Sequence, residues 1–193
     1  SMETVEFIQT AVAGLVVTRW AADAVLGWLN RRSVRARAGS VPAAFRDTVD
    51  PATYAKSVEY TLANSRFGLV SDLWETGVLL AVLFSGVLPG SFAALRDLAG
   101  HSAWVDALWM FAVGLGLSLP SLPFEWWAQF RLEDRFGFNT TTQAIWWGDR
   151  VKGLILAAVL GFPLLWLVLK LVGWMGPWWW VWAWAAFLGF QLF

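Results

Sequence analysis

The chain has 193 residues, of which 58% are hydrophobic and only 15% are charged, against about 25% charged residues in an ordinary soluble domain. A soluble chain of this length buries only about 70% of its surface on folding, so it could not hide so many apolar side chains from water. Lys plus Arg and Asp plus Glu both number 14, which argues against nucleic acid as a partner. The composition indicates an integral-membrane protein.

Hydrophobic runs long enough to cross a bilayer recur along the chain. A helix needs about 20 apolar residues to span roughly 30 Å of hydrocarbon. Four complete runs and part of a fifth are candidates for such spans, at about 5–29, 67–88, 105–122, 151–172 and 178–193. The fifth run is short for a span, and we expect it to be cut at the end of the sequence. The sequence predicts an all-α, polytopic transmembrane domain over residues 1–193.

Basic residues are concentrated in the loop between the first and second runs and in the loop between the third and fourth. By the positive-inside rule both loops are cytoplasmic and the amino terminus is non-cytoplasmic. The polar segment 31–66 is interrupted by Pro42 and Pro51, which predicts short helices lying on the cytoplasmic face. The basic residues of the two loops are Arg31, Arg32, Arg35, Arg37, Arg46, Lys56 and Arg66, and Arg131, Arg135, Arg150 and Lys152.

Ionisable side chains inside the hydrophobic runs need an explanation, because each costs about 3 kcal/mol at the centre of a bilayer unless it faces protein or water. Asp72 and Glu75 lie on one face of the second helix, and they either snorkel to the interface or line an aqueous cavity. Arg19 and Asp23 are four residues apart in the first helix, and we expect them to pair. Glu125, at the end of the third run, is either an anchor or a pocket residue.

The sequence contains no complete set of catalytic or metal-binding residues. A zinc peptidase needs two imidazoles at helical spacing and a carboxylate base, whereas this chain has one histidine, His101, and no cysteine. A serine nucleophile lacks a base for the same reason. Asp72 and Asp149 are the candidates for an aspartyl pair, although the hydrophobic runs place neither at mid-bilayer. We assign no residue a catalytic or metal-binding role, and we expect no cofactor in this chain.

Tryptophan is strongly enriched, with 16 residues in the chain. Indole rings prefer the headgroup level of a bilayer, so an interfacial belt is the simpler interpretation and a ligand-stacking site is the alternative. Six tryptophans surround the start of the fifth run, namely Trp174, Trp178, Trp179, Trp180, Trp182 and Trp184.

The segment 118–152 is too aromatic for a linker and too charged for a span. Its part from Phe124 to Thr142 alternates charged residues with aromatic rings, which predicts an amphipathic connector packed against the cytoplasmic ends of the helices. We expect the rings of Phe136 and Phe138 to be buried in this packing. Gly137 is expected to end the connector helix, and the residues from Asn139 to Thr142 offer a cap for the next one.

The same segment resembles a known protein family. The run LPFEWW is followed by the pattern F-x-x-E-x-x-F-G-F-N-x-x-T, from Phe130 to Thr142, and then by Trp146, Asp149 and Lys152. This combination resembles the amino-terminal membrane domain of the CAAX prenyl proteases, the type-one integral-membrane zinc metallopeptidases. Upstream, six residues resemble the family's first cytoplasmic loop: Pro42, Phe45, Tyr54, Lys56, Tyr60 and Phe67.

The resemblance implies membrane helices around a water-filled chamber, in a hydrolase that cleaves proteins near a prenylated carboxyl terminus. In that family the zinc ligands lie on later helices, in an H-E-x-x-H motif and a downstream glutamate, and this sequence has none of those positions. Zinc is expected in the complete enzyme, and this chain alone is expected to be inactive. Asp72, Glu75, Glu125 and Asn139 become candidate chamber or packing residues.

Three functions from different classes are consistent with the sequence. The first is the membrane part of such a peptidase, whose partners are the lipid bilayer, the missing catalytic half and a prenylated or other membrane-associated protein substrate. The second is a stand-alone scaffold or degenerate homologue that binds lipid or a partner protein. The third is an intramembrane aspartyl enzyme or a small transporter. Richness in Ala, Gly, Trp and Arg favours a bacterial inner membrane, and the eukaryotic counterpart is the endoplasmic reticulum membrane.

Overall fold

A computed structural model describes residues 2–42 and 45–191. The described residues form α-helices joined by short turns, without a β-strand among them, so the predicted all-α fold is confirmed. The helices are α1 (Met2–Arg37), α2 (Pro51–Phe84), α3 (Val87–Ala99), α4 (Ala103–Ser118), α5 (Leu122–Trp127), α6 (Gln143–Leu156), α7 (Phe162–Met175) and α8 (Trp179–Gln191). Short 3₁₀ or π segments lie at Leu119–Ser121, Ala128–Glu133, Ala157–Gly161 and Gly176–Trp178.

Four stretches of the described chain are long and apolar enough to cross a membrane. They are Glu3–Arg37, Pro51–Phe84, Ala103–Glu133 and Gln143–Ala185. Gly176, with a φ of +58°, separates α7 from α8 inside the last stretch. This break lies between the predicted runs at 151–172 and 178–193. The chain is an integral-membrane protein.

The polar segment between the first two runs does not form the short surface helices that its prolines predicted. Instead α1 continues through the arginines to Arg37, and α2 begins at Pro51. Pro51 starts a helix rather than interrupting one, because the first turn of a helix needs no N–H bond from proline. With 34 residues, α2 is about 51 Å long, so it extends well beyond the hydrocarbon layer.

Asp50 explains why α2 starts so early. Its Oδ1 accepts the backbone N–H groups of Ala52 and Thr53, each at 3.0 Å, which is the usual role of an N-cap residue. The hydroxyl of Thr53 also donates to this carboxylate, and these bonds lower the pKa of Asp50. The stabilisation by the cap is therefore present above the ordinary carboxyl pKa and is lost as the pH falls through the lowered one.

The residues up to Val87 and the segment Leu117–Thr141 form the first of two compact units. In this unit α1 and α2 pack side by side and antiparallel, with side-chain hydrogen bonds at both ends and between them. Gln9 Nε2 donates to Leu83 O at 3.1 Å, Arg31 Nη1 to Ser65 Oγ at 3.0 Å, and Tyr54 Oη to Arg37 O at 3.0 Å. Bonds between membrane helices stabilise their association.

The second unit contains Leu88–Gly116 and the chain from Thr142 onward. Arg96 of α3 forms a bidentate pair with Asp106 of α4, with Nε–Oδ1 at 2.9 Å and Nη2–Oδ2 at 2.7 Å. The hydrogen bonds to Asp106 raise the pKa of Arg96. The ring of Phe162 packs against two aromatic rings of α4, at centroid distances of 5.5 and 5.8 Å. These contacts hold α4 against α3 and α7.

Candidate functional site

A polar pocket of about 150 Å³ lies between α1 and α2 in the first unit. Arg19 and Asp23 line it from α1, and Asp72 and Glu75 line it from α2. Arg19 Nε lies 3.6 Å from Asp23 Oδ2, so the predicted ion pair is present. The structure thus brings two of the candidate site residues next to a pair from the other helix. We call this site the polar pocket.

Asp72 and Glu75 of the polar pocket lie within a stretch that is long and apolar enough to cross a membrane. The second hydrophobic run starts at Phe67, and the two residues follow it by five and eight positions, or about 8 and 12 Å along the helix. Short carboxylate side chains do not bridge that distance, so water or protein has to solvate them.

Trp20 also lines the polar pocket, and its Nε1 is buried with no hydrogen-bond partner among the described residues. A buried N–H left without an acceptor costs about 1–3 kcal/mol. The pocket has room for several water molecules, each of which occupies about 30 Å³ in the liquid. Water in the pocket would accept from the indole and donate to the carboxylates.

A different side of α2 is apolar. A groove of about 480 Å³ there is lined by apolar and aromatic residues, including Val70, Leu73 and Gly77. Residues 73 and 75 are two positions apart, which is a rotation of about 200° around a helix axis. α2 therefore carries carboxylates on one side and aliphatic side chains on the other.

Three aromatic residues of α2 form a seam with the connector. Tyr60, Phe67 and Trp74 are spaced seven residues apart, so they lie along one side of the helix. Phe67 stacks on Trp127 at a centroid distance of 4.8 Å. Trp74 stacks on Phe124 of the connector at a centroid distance of 6.0 Å, and its Nε1 donates to Pro120 O, just before the connector, at 3.0 Å. The predicted packing of the connector on α2 is present, and we call this contact the aromatic seam.

Tyr60 holds the end of the connector. Its ring contacts Phe136 and Phe138 edge-on, at centroid distances of 5.3 and 4.8 Å. Phe136 is buried, with 3% of its surface exposed, whereas Phe138 is 47% exposed. The expectation that both rings are buried is therefore wrong for Phe138. One residue earlier in α2, Glu59 Oε1 accepts from Arg135 Nη2 at 2.9 Å.

Gly137 ends the connector helix, as its sequence predicted. Its φ is +70°, a conformation that side chains with a Cβ rarely adopt. Two backbone bonds close the helix around it, from Gly137 N to Asp134 O at 2.9 Å and from Phe138 N to Glu133 O at 2.9 Å. This bond pair is a Schellman motif, and it turns the chain where Phe136 and Phe138 both contact Tyr60.

The π-helical turn Ala128–Glu133 carries a polar network that the sequence analysis did not predict. Gln129 Nε2 donates to Glu133 Oε2 and to Asn139 Oδ1, both at 2.8 Å. Asn139 Oδ1 also accepts the N–H of Thr141 at 2.9 Å. Asn139 thus lies in the packing of the connector and does not line the polar pocket.

The remaining predicted residues lie at several separate places. Glu125 is in α5, half-buried, with one carboxylate oxygen shielded from solvent, and it does not line the polar pocket. Thr142 caps α6 as predicted, because its hydroxyl accepts the N–H of Ile145 at 3.3 Å. Asp149 and Lys152 form an ion pair along α6 at 3.3 Å.

Zinc does not fit the residues that the structure describes. In residues 2–42 and 45–191, no group of three or more His, Cys, Asp or Glu side chains could hold a metal ion. His101 lies exposed in the turn between α3 and α4, directly after Gly100. A single imidazole cannot provide the three or four protein ligands that zinc sites use, so we derive no catalytic step through zinc from this chain.

Comparisons with known proteins agree with the fold. Residues 30–193 match the family model described as CAAX prenyl protease N-terminal, five membrane helices. CAAX prenyl protease 1 of Saccharomyces cerevisiae is 28% identical over 146 residues, which are 68% of this chain and 31% of the yeast protein. The Arabidopsis thaliana homolog is 25% identical over 188 residues, which are 94% of this chain and 44% of the plant protein.

A solved structure has a similar fold over most of the chain. The crystal structure of S. mikatae Ste24p matches with a TM-score of 0.83 and 21% sequence identity, and the match covers 95% of this chain and 43% of that one. The chain therefore spans less than half the length of these relatives. Since the family model covers residues 30–193, the chain belongs to the family of CAAX prenyl protease amino-terminal membrane domains.

Proposed function

We propose that this chain is the membrane domain of a zinc metalloendopeptidase that cleaves prenylated or other membrane-associated proteins. The observation that carries the proposal is the family match over residues 30–193, together with relatives named CAAX prenyl proteases. The chain corresponds to 31% of the yeast relative, so a complete protein of that length has room for a zinc-binding catalytic part. We assign no catalytic residue to this chain.

The polar pocket supports a role for α1 and α2 as part of the wall of an aqueous chamber. Asp72 and Glu75 lie within a stretch that is apolar enough to cross a membrane, and they need water or protein around them. The groove beside Leu73 is apolar, as a surface facing lipid or another helix requires. We therefore assign the polar side of α2 to the chamber and its apolar side to the bilayer or to neighbouring helices.

The connector is proposed to contact the catalytic part of the complete protein. Its inner surface is already occupied by the aromatic seam with α2. Two rings of this seam remain partly exposed, Trp127 by 45% and Phe138 by 47%. Aromatic side chains of this kind are typical of protein interfaces.

Measuring bound zinc tests our proposal that the catalytic site lies in a part of the protein that this chain does not include. We expect about one zinc per molecule in the protein made from the complete reading frame. We expect no stoichiometric zinc in this chain (residues 2–193) alone, because one histidine cannot hold the ion. The His101→Ala variant of the chain is the control. One equivalent of zinc in the chain, lost in that variant, would contradict the proposal.

We propose that the amino terminus lies outside the cytoplasm, because basic loops between membrane spans are usually cytoplasmic. Cysteine labelling can test this, because the chain has no native cysteine. A membrane-impermeant thiol reagent added to intact cells should label His101→Cys and leave Arg37→Cys unlabelled until the cells are opened. Labelling of both variants before lysis would show that the orientation is wrong.

A further inference from the structure

A second pocket, which we call the basic pocket, lies between the last turns of α1 and the first turns of α2. Its volume is about 280 Å³. Six polar residues line it, namely Asn30, Ser33, Arg37, Tyr54, Ser57 and Thr61. Two valines complete the lining. The pocket lies within the first unit and shares no residue with the polar pocket.

The lining of the basic pocket is suited to an anion. It contains one arginine and no acidic residue. Arg37 Nη1 donates to Ser33 Oγ at 2.6 Å, and a guanidinium has four further N–H donors. Tyr54 Oη donates to the carbonyl of Arg37 at 3.0 Å, which fixes the last turn of α1 against α2. A phosphate in the pocket would thus meet a positioned guanidinium and, from Asn30, a neutral amide donor.

The basic pocket begins where the apolar part of α1 ends. Asn30 directly follows the first hydrophobic run, which extends to Leu29. On α2, Thr61 lies six residues before Phe67, where the second run starts, a distance of about 9 Å. The headgroup layer is about 5–8 Å thick, so Thr61 lies just outside it. Ser33, whose hydroxyl accepts from Arg37 Nη1, lies four residues beyond Leu29, or about 6 Å, which places the arginine head at the depth of lipid phosphates.

Charges around the pocket favour a lipid as the source of the phosphate. Arg31, Arg32 and Arg35 lie on the same end of α1 as Arg37, and clusters of basic residues next to a membrane span attract anionic lipids. We infer that the basic pocket binds the phosphate group of an anionic phospholipid, with Arg37 as its charged partner. The inference does not depend on the proposed peptidase function.

Thermal unfolding of the full chain in a neutral detergent tests the inference, with dihexanoyl phosphatidylglycerol as the probe. We expect this lipid to raise the unfolding midpoint in a saturable manner. At equal concentrations, dihexanoyl phosphatidylcholine and inorganic phosphate should not do so. Arg37→Gln should weaken the apparent affinity about tenfold or more, because charge-assisted hydrogen bonds are lost. Arg35→Gln removes the same charge from a residue that does not line the pocket, and it should retain most of the affinity.

A second variant keeps the test decisive if Arg37→Gln does not fold. Asn30→Leu removes an uncharged donor from the pocket and should also weaken binding, while its midpoint without lipid shows whether the protein is folded. Equal losses of apparent affinity in the Arg35 and Arg37 variants would overturn the inference, because they would show that the lipid responds to the overall surface charge and not to the pocket. The same midpoint shift with inorganic phosphate would overturn the assignment to lipid, and no shift with phosphatidylglycerol would overturn the site.

Discussion

Replacing Phe136 with Ala is expected to lower the free energy of unfolding by about 3 kcal/mol, because large-to-small changes of a buried phenylalanine leave a cavity. Only 3% of the Phe136 surface is exposed, and its ring packs against Tyr60. The loss should appear as a lower thermal midpoint in mild detergent. In the complete protein the same change should reduce cleavage, since it loosens the connector.

Phe138→Ala is the matched control for that measurement. The two rings contact the same Tyr60 side chain, but Phe138 is 47% exposed, so its removal takes less apolar surface from the interior. The Phe138 variant should therefore lose clearly less stability than the Phe136 variant. Equal losses would mean that the outer ring is covered in the protein, and no loss in either variant would mean that the connector is not packed on α2.

A cysteine at position 75 is expected to react completely with a membrane-impermeant thiol reagent, whereas a cysteine at position 73 should remain unlabelled. Glu75 lines the polar pocket and Leu73 lines the apolar groove, and both side chains are exposed in the structure. The expected difference in labelling therefore comes from the surroundings of each side chain, water at position 75 and lipid or protein at position 73. A thiol reacts as the thiolate, which needs water, so lipid or protein around position 73 prevents the reaction.

The experiment uses Glu75→Cys and Leu73→Cys in the complete protein, in membranes and then after denaturation. Denaturation should make both cysteines reactive, which confirms that each variant is present. Labelling at position 73 and not at position 75 would place the aqueous side of α2 opposite to our assignment.

Much of the fold could be predicted because it depends on residues that are close together in the sequence. The hydrophobic runs predicted an all-α membrane domain because lipid forces backbone groups to bond within a helix. Gly137 and Thr142 were also recognised, because a positive φ and an N-cap depend mainly on the residue itself. The predicted Arg19–Asp23 pair is local as well, since its members are one helical turn apart.

Features that depend on distant partners were harder to predict. The two prolines of segment 31–66 led to the expectation of short helices, whereas the Asp50 cap makes Pro51 the start of α2. Phe136 and Phe138 both contact Tyr60, which is far away in the sequence, and only Phe136 is buried. The seven-residue spacing from Tyr60 to Trp74 was a signal for the aromatic seam that the sequence analysis did not use.

The polar pocket also depends on residues that are distant in the sequence. The sequence showed that Asp72 and Glu75 share one face of a helix, but it left open whether they reach the interface or line a cavity. Their placement opposite Arg19 and Asp23 depends on how α1 and α2 align, which hydrogen bonds such as Gln9 to Leu83 fix in three dimensions. No pattern within either helix contains that alignment.

The most direct test of the proposed function is the cleavage of a peptide that ends in a farnesylated CAAX sequence. The protein made from the complete reading frame, reconstituted in lipid vesicles, should cleave this peptide near its carboxyl terminus. A chelator should abolish the cleavage and added zinc should restore it, while residues 2–193 alone should be inactive. Cleavage by residues 2–193 alone, or a folded complete protein that binds zinc and cleaves no prenylated peptide, would contradict the account.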